Sequence, residues 1–293
     1  MKNVILVFLT TLSFIACNRD NNKADAYGNF ETTEVTVSSE SNGKIEFLNL
    51  EEGDKIEKNK LVGLVDTLQL HYTKMQLLAN QKTIASKSKN VLSQKQVLLE
   101  QLNTSKIEQK RIHNMFEENS ATKRQVDEID GKVKVIEEQI KSVLTQNAPI
   151  LNEIEGLAVQ IEKINDQIQK SKITNPITGI VLTKYSEPGE ITAFGKPLYK
   201  IANLDQMTLR VYIGEPQLSQ IKIGQEVTVK IDSEKSTKDY KGTISWISAQ
   251  AEFTPKVIQT KEERVNLVYA VKLTVKNDGS LKIGMPAEMW IKK

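Results

Sequence analysis

The chain has 293 residues, of which 39% are apolar, 26% charged and only 5% aromatic, with a net charge of +3. This length allows one to three structural units, and so few large apolar side chains favour an elongated, surface-rich molecule over one large enzyme core. It has no long basic run, no His/Cys cluster with metal-ligand spacing and no phosphate-binding or nucleophile-elbow motif, so composition points away from an enzyme, a metal protein or a nucleic-acid binder and implies no cofactor.

The N-terminus reads as an export signal. Met1-Lys2-Asn3 is a short positive segment, and residues 4–15 form an apolar run too short for an ordinary membrane-spanning helix. Ala16-Cys17 follows at once. Residues 1–16 therefore resemble a bacterial lipoprotein signal peptide, with Phe14 where Leu is usual and Cys17 as the lipid anchor. An ordinary secretory leader with an incidental cysteine is the alternative. The position of the only cysteine favours the lipoprotein, since an exported chain with a lone thiol would otherwise risk wrong pairing. Several acyl chains on one residue anchor stably where a single chain does not. Residues 17–29, polar at their start, read as a flexible linker.

Two segments match each other. Gly43, Gly53 and Asn59 in the first recur as Gly179, Gly189 and Gly195 in the second, with the same spacings. Gly and Asn tolerate positive φ in tight turns, and β-favouring runs such as Lys44-Ile45-Glu46-Phe47 and Ile180-Val181-Leu182-Thr183 lie between them. Residues 36–66 and 173–203 thus read as two four-strand halves that pack face to face, since neither buries enough alone. Two unrelated hairpins are the alternative.

Residues 68–172 separate the halves and have coiled-coil composition, with one Pro and two Gly. In the second part Val126, Ile129, Val133, Ile136, Ile140 and Val143, then Ile150, Ile154, Leu157, Ile161, Ile164 and Ile168, alternate steps of three and four, with Asn147 breaking the series. That is the signature of a coiled-coil seam. The register persists across Pro149, which predicts one kinked helix. In the first part Leu70, Leu77, Ile84, Val91, Leu98 and Ile112 keep a seven-residue spacing with Ser105 as the gap, and the companion stripe is mostly polar. The pattern fails near 117–122, where Thr122 and Gln125 form a capping-box pair for the second helix. Two arms of ~49 residues, ~73 Å at 1.5 Å per residue, must then form an antiparallel hairpin, because both ends return to the half-motifs. A coiled-coil dimer is the alternative.

Residues 204–293 contain alternating runs parted by turns, among them Leu209-Arg210-Val211-Tyr212-Ile213, Glu226-Val227-Thr228-Val229 and Gly242-Thr243-Ile244-Ser245-Trp246. They read as a small β-barrel, joined to the sandwich through residues 30–35. The fold class is therefore α+β and elongated: a split β-sandwich, a long helical hairpin inserted into it, and a C-terminal barrel.

A split sandwich interrupted by a helical hairpin, on an exported chain with a lipid-anchor cysteine, resembles the HlyD/AcrA family of periplasmic adaptor (membrane fusion) proteins. The halves resemble lipoyl carrier domains, but Lys44, Lys60 and Lys196 flank ordinary turns and none has a carrier context. A carrier-enzyme component is disfavoured for that reason. Adaptors that dock to TolC-like outer-membrane channels carry Arg, Leu and Ser at fixed spacing in the hairpin tip, and this chain has Arg111, Met115 and Thr122 at those places. Arg offers a forked donor, Met an adaptable apolar contact and Thr a hydroxyl; a solvated turn with a cap is the plainer reading. Residues 251–264 and the strand after them resemble the branch that works with ABC-type exporters. The resemblance implies a non-enzymatic adaptor in the periplasm of a Gram-negative cell. It would be held at the inner membrane by lipid on Cys17, would join an ABC permease and ATPase to a TolC-like channel, and would assemble as a homo-hexamer. A proton-driven (RND-type) pump as the transporter, or a coiled-coil envelope scaffold with no transport role, are the other readings. The chain ends at Lys293, just past the Gly284-Met285-Pro286 strand, so the membrane-proximal domain that many adaptors carry is expected to be reduced or absent.

Overall fold

The computed structural model describes residues 24–232, 237–253 and 267–291. Cys17, its leader and residues 254–264 lie outside the described residues. In chain order the elements are β1 (Ala26–Glu31), β2 (Glu34–Ser38), β3 (Gly43–Leu48), β4 (Lys55–Ile56), β5 (Leu61–Val65), α1 (Leu68–Glu117), α2 (Lys123–Lys170), β6 (Lys172–Thr174), β7 (Gly179–Lys184), β8 (Ile191–Thr192) and β9 (Pro197–Ala202). Then follow β10 (Gln206–Gly214), α3 (Glu215–Leu218), β11 (Glu226–Asp232), β12 (Thr237–Ile247), β13 (Glu252–Phe253), β14 (Leu267–Lys276) and β15 (Pro286–Trp290). The architecture is the expected α+β one.

The barrel closes through six antiparallel strands in the order β10-β1-β15-β11-β12-β14, with β14 pairing back to β10 and β13 added beside β14. Alternation drives it: Met207, Leu209, Val211 and Ile213 of β10 point into a core with Phe30, Val229, Ile244, Leu273 and Met289, while Thr208, Arg210 and Tyr212 point out. Closure removes the free edges that an open sheet would expose.

One strand corrects the sequence reading. The expected linker over 17–29 ends sooner, because Ala26–Glu31 is a central barrel strand between β10 and β15. Ala26 and Phe30 are buried on its inner side. Gly28 lies between them, and a Cβ there would sit 1.8 Å from the Arg210 carbonyl oxygen, so only glycine lets the two strands approach.

The two halves do not form one sheet each, as face-to-face packing of separate halves would require. They interleave. One sheet runs β2-β9-β7-β4 and the other β6-β5-β3-β8, each taking two strands from each half. The strand orders are equivalent under a two-fold, since β3, β4 and β5 correspond to β7, β8 and β9 at one constant offset (Gly43 to Gly179, Lys55 to Ile191, Leu61 to Pro197). The cross-half bonds repeat as well. The Asn59 N–H donates to the Asn175 carbonyl at 2.7 Å, and the Gly195 N–H to the Ser39 carbonyl at 2.8 Å. The core holds Ile45, Leu50, Val62, Val181, Leu198 and Ile201.

The insert is a two-helix hairpin rooted in one sheet. β5 and β6 pair antiparallel, and the Val65 N–H donates to the Ser171 carbonyl at 2.9 Å. Along α2, Val126, Ile129, Val133, Ile136 and Ile161 are buried. Pro149 lies inside a helix that continues on both sides of it. Along α1 the buried residues are Ile84, Ser88 and Ser105, the last being the gap in the apolar stripe. The polar companion stripe is not idle. Gln81 Nε2 donates to the Ile154 carbonyl at 3.5 Å, Ser88 Oγ to Asn147 Oδ1 at 2.8 Å, and Gln109 Nε2 to Asp130 Oδ1 at 2.8 Å. Asn147, which interrupts the apolar series of α2, is thus met by a buried serine of the other arm.

Candidate functional site at the hairpin tip

The tip is built by two complementary helix ends. α1 ends with Asn119 in the left-handed region at φ 58°. The Asn119 N–H donates to the Phe116 carbonyl at 3.0 Å and the Ser120 N–H to the Met115 carbonyl at 2.7 Å, the paired bonds of a Schellman stop. α2 starts at the capping box expected from Thr122 and Gln125. The Thr122 N–H donates to Gln125 Oε1 at 2.8 Å, and the Gln125 N–H to Thr122 Oγ1 at 3.4 Å. The Thr122 hydroxyl proton also goes to Gln125 Oε1, at 2.9 Å. Both helix ends are thus capped by bonds made within the turn itself.

The three tip residues singled out in the sequence stand differently. Arg111 pairs with Glu108 one turn back at 2.6 Å, and its side chain is 69% exposed. Met115 lies one turn further on and is 39% exposed. Their i, i+4 spacing puts them on one face of α1. Thr122 belongs to the other arm and is tied into its cap. Phe116, which sequence reasoning passed over, is 41% exposed beside Met115. Lys123 pairs with Asp127 at 2.9 Å, and that hydrogen bond raises its ammonium above the ordinary lysine value.

Just below the turn, Asp130 fastens the arms. It accepts from Gln109 Nε2 and lies 2.8 Å from His113 Nε2, both on α1. These hydrogen bonds, Gln109 first, hold its carboxyl below the ordinary carboxylate value. His113 looks isolated along the sequence, yet folding the chain back about residues 117–122 sets it opposite Asp130. That pairing was the available signal. Among the described residues no group of three His, Cys, Asp or Glu side chains is placed to hold a metal ion, and no helix is long and apolar enough to cross a membrane.

No protein-family model matches the chain. A UPF0194 membrane protein of Enterobacter sp. (strain 638) is 23% identical over 324 aligned residues, covering 98% of this chain and 96% of the relative. A UPF0194 membrane protein of Yersinia pseudotuberculosis serotype O:3 is 36% identical over 120 residues, 41% of this chain and 36% of the relative. Among solved structures, MacA from Actinobacillus actinomycetemcomitans superposes with a TM-score of 0.61 at 18% identity, over 90% of this chain and 76% of that one. A MacA-MexA chimera carrying the Pseudomonas aeruginosa MexA α-hairpin domain gives 0.53 at 20% identity, with the same coverage.

Proposed function

The chain has the fold of the HlyD/AcrA-type membrane fusion proteins, and from that premise we propose that it works as the periplasmic adaptor of an export system, joining an inner-membrane transporter to an outer-membrane channel. The observation that carries this reading is the hairpin. Two helices of 50 and 48 residues leave one sheet and return to it, and their free end is capped and exposed. A helix of that length reaches ~73 Å at 1.5 Å per residue. So long an arm, held to its partner along a seam that buries Val126, Ile129, Val133, Ile136 and Ile161, serves to carry its tip away from the sandwich.

The finer assignments follow from the same reading. Lipid on Cys17 holds the chain at the inner membrane, the barrel faces the transporter, and the tip meets a TolC-like channel. Arg111 supplies a forked cation and Met115 an adaptable apolar contact on one face, while Thr122 fixes the shape of the turn that presents them. Six copies would enclose a duct, and energy would come from an ABC-type transporter. The likeness of residues 251–264 to the ABC-associated branch supports that choice. A proton-driven pump in its place would leave the tip and the anchor unchanged.

The test is paired. Arg111→Asp and Met115→Asp should abolish crosslinking of the tip to the channel and reduce export in cells at matched protein levels. Melting of the purified variants should barely move, because exposed substitutions away from special features usually change stability by less than about 0.5 kcal/mol. Normal export and crosslinking in both variants would remove the tip as the docking site.

A further inference from the structure

We propose that the end of the barrel away from the sandwich, its rim and the adjoining outer wall, rests on the lipid surface as a second membrane contact; this rests on reading Cys17 as the anchor.

The first support is where the chain reaches the barrel. β1 runs from Ala26 to Glu31 and leaves toward the sandwich through Thr32, whose hydroxyl donates to the Asn203 carbonyl at 3.0 Å. Its start therefore lies at the far end. There Asp25 is fixed three ways. Its N–H donates to the Met289 carbonyl at 3.0 Å, its carboxylate accepts the Ile291 N–H at 2.7 Å, and its carbonyl accepts Gln217 Nε2 at 2.6 Å. Only residues 18–24 separate Asp25 from Cys17. Eight peptide steps span at most ~28 Å when fully extended. A lipid on Cys17 thus holds this end of the barrel, and not the sandwich, beside the bilayer.

The second support is what that end presents. Phe253 is 71% exposed and Leu267, its partner in the β13–β14 ladder, 52%. Both have the inward parity of Val271 and Leu273 and stand at the far rim of the barrel; Val268, of the opposite parity, shares one shallow concavity of the outer wall with Tyr27, which is 58% exposed. On the other side of Tyr27, Lys230 Nζ lies 4.8 Å above the Trp290 ring. An apolar rim with Tyr and Trp beside lysine on the adjoining wall has the chemistry of the membrane interface, where amphipathic rings sit among headgroups. Among the described residues the charges there stand opposite each other, Arg210 paired to Glu252 at 3.0 Å and Lys230 facing Glu288 in the β11–β15 ladder. Contact would then depend on apolar burial more than on anionic lipid, and raising the salt should leave it intact.

The experiment reads Trp290 in the full chain carrying Trp246→Phe, on vesicles of phosphatidylethanolamine and phosphatidylglycerol with brominated acyl chains. One arm uses protein extracted from membranes. A second holds the same chain by an N-terminal hexahistidine on nickel-chelating lipid, so that the barrel is presented whether or not Cys17 is acylated. The expected result is loss of Trp290 fluorescence in both arms, stronger with bromine near the headgroups than deep in the chains. Adding Tyr27→Asp and Phe253→Asp should restore the fluorescence while the protein still sediments. Quenching in the nickel arm, with Cys17 found unacylated by mass spectrometry of the membrane-extracted protein, would sink the anchor and keep the barrel contact. Membrane-held protein in which Trp290 is never quenched would overturn the barrel contact, leave the anchor standing, and assign this face to a protein partner.

Discussion

The Ser88–Asn147 bond lends itself to a double-mutant cycle. Ser88 is 7% exposed and its hydroxyl donates to Asn147 Oδ1 at 2.8 Å. Net loss of such a bond is worth about 1 kcal/mol, rising to about 3 kcal/mol where the orphaned partner is buried. Asn147 is half-buried, so in Ser88→Ala water replaces part of the lost donor and the cost should fall near 1 kcal/mol. In Asn147→Ala the serine turns to a carbonyl of its own helix, again at about 1 kcal/mol. The double variant should cost less than the sum, with a coupling of roughly 0.5–1.5 kcal/mol. Urea unfolding of the full chain, with hydrogen exchange followed over peptides of both arms, measures it. Strictly additive costs would refute the reasoning, because the bond would then contribute nothing. The apolar pair Ser88→Val with Asn147→Leu should instead stabilise the hairpin while weakening the preference for one register, as loss of a buried polar pair does in coiled coils.

Thr122→Ala should destabilise the start of α2 by about 1 kcal/mol, visible as faster exchange at residues 123–126; unchanged exchange there would free Thr122 for a purely contacting role. Pro149→Ala restores an N–H and removes a clash inside α2, so the hairpin should gain up to ~3 kcal/mol in thermal or urea unfolding, and no gain would mean that packing has adapted to the proline. Asp130 has a folded pKa below its ordinary 3.8, so its stabilising contribution is present above that value and lost as pH falls through the lowered one. Asp130→Asn should therefore flatten the acid limb of stability below pH 3.8, read by hydrogen exchange at the tip across an acid titration.

What could be read from sequence depended on which side chains carry each contact. α2 was legible because its seam is Ile and Val at regular three- and four-residue steps. The matching side of α1 was not, since Gln81, Ser88 and Gln109 look like solvent-facing residues until their cross-arm acceptors are in view. β1 was hidden for another reason. Its inward positions are Ala26, Gly28 and Phe30, and two small residues in three mask an alternation that the barrel needs for close strand approach. The repeated turns of the halves fixed each half's internal geometry, but identical spacings suit separate and interleaved sheets equally well. At the tip the capping box was visible as Thr122 with Gln125, whereas the Schellman stop was not, because Asn119 stands where glycine is usual.

The root of the hairpin has a mechanical consequence. Only Asp66 and Thr67 stand between β5 and α1, and only Ser171 between α2 and β6, with Asp66 Oδ1 accepting the Leu68 N–H at 2.8 Å. Neither arm has a loop in which to absorb a twist. The sandwich joins the barrel through two crossings, at residues 32–33 and 203–205. Any tilt imposed on the sandwich would therefore be handed to the arms undiminished, as at the short end of an oar. For an arm of ~72 Å, from 1.5 Å per residue, a tilt of about 5° at the base sweeps the blade by ~6 Å, roughly one helical turn.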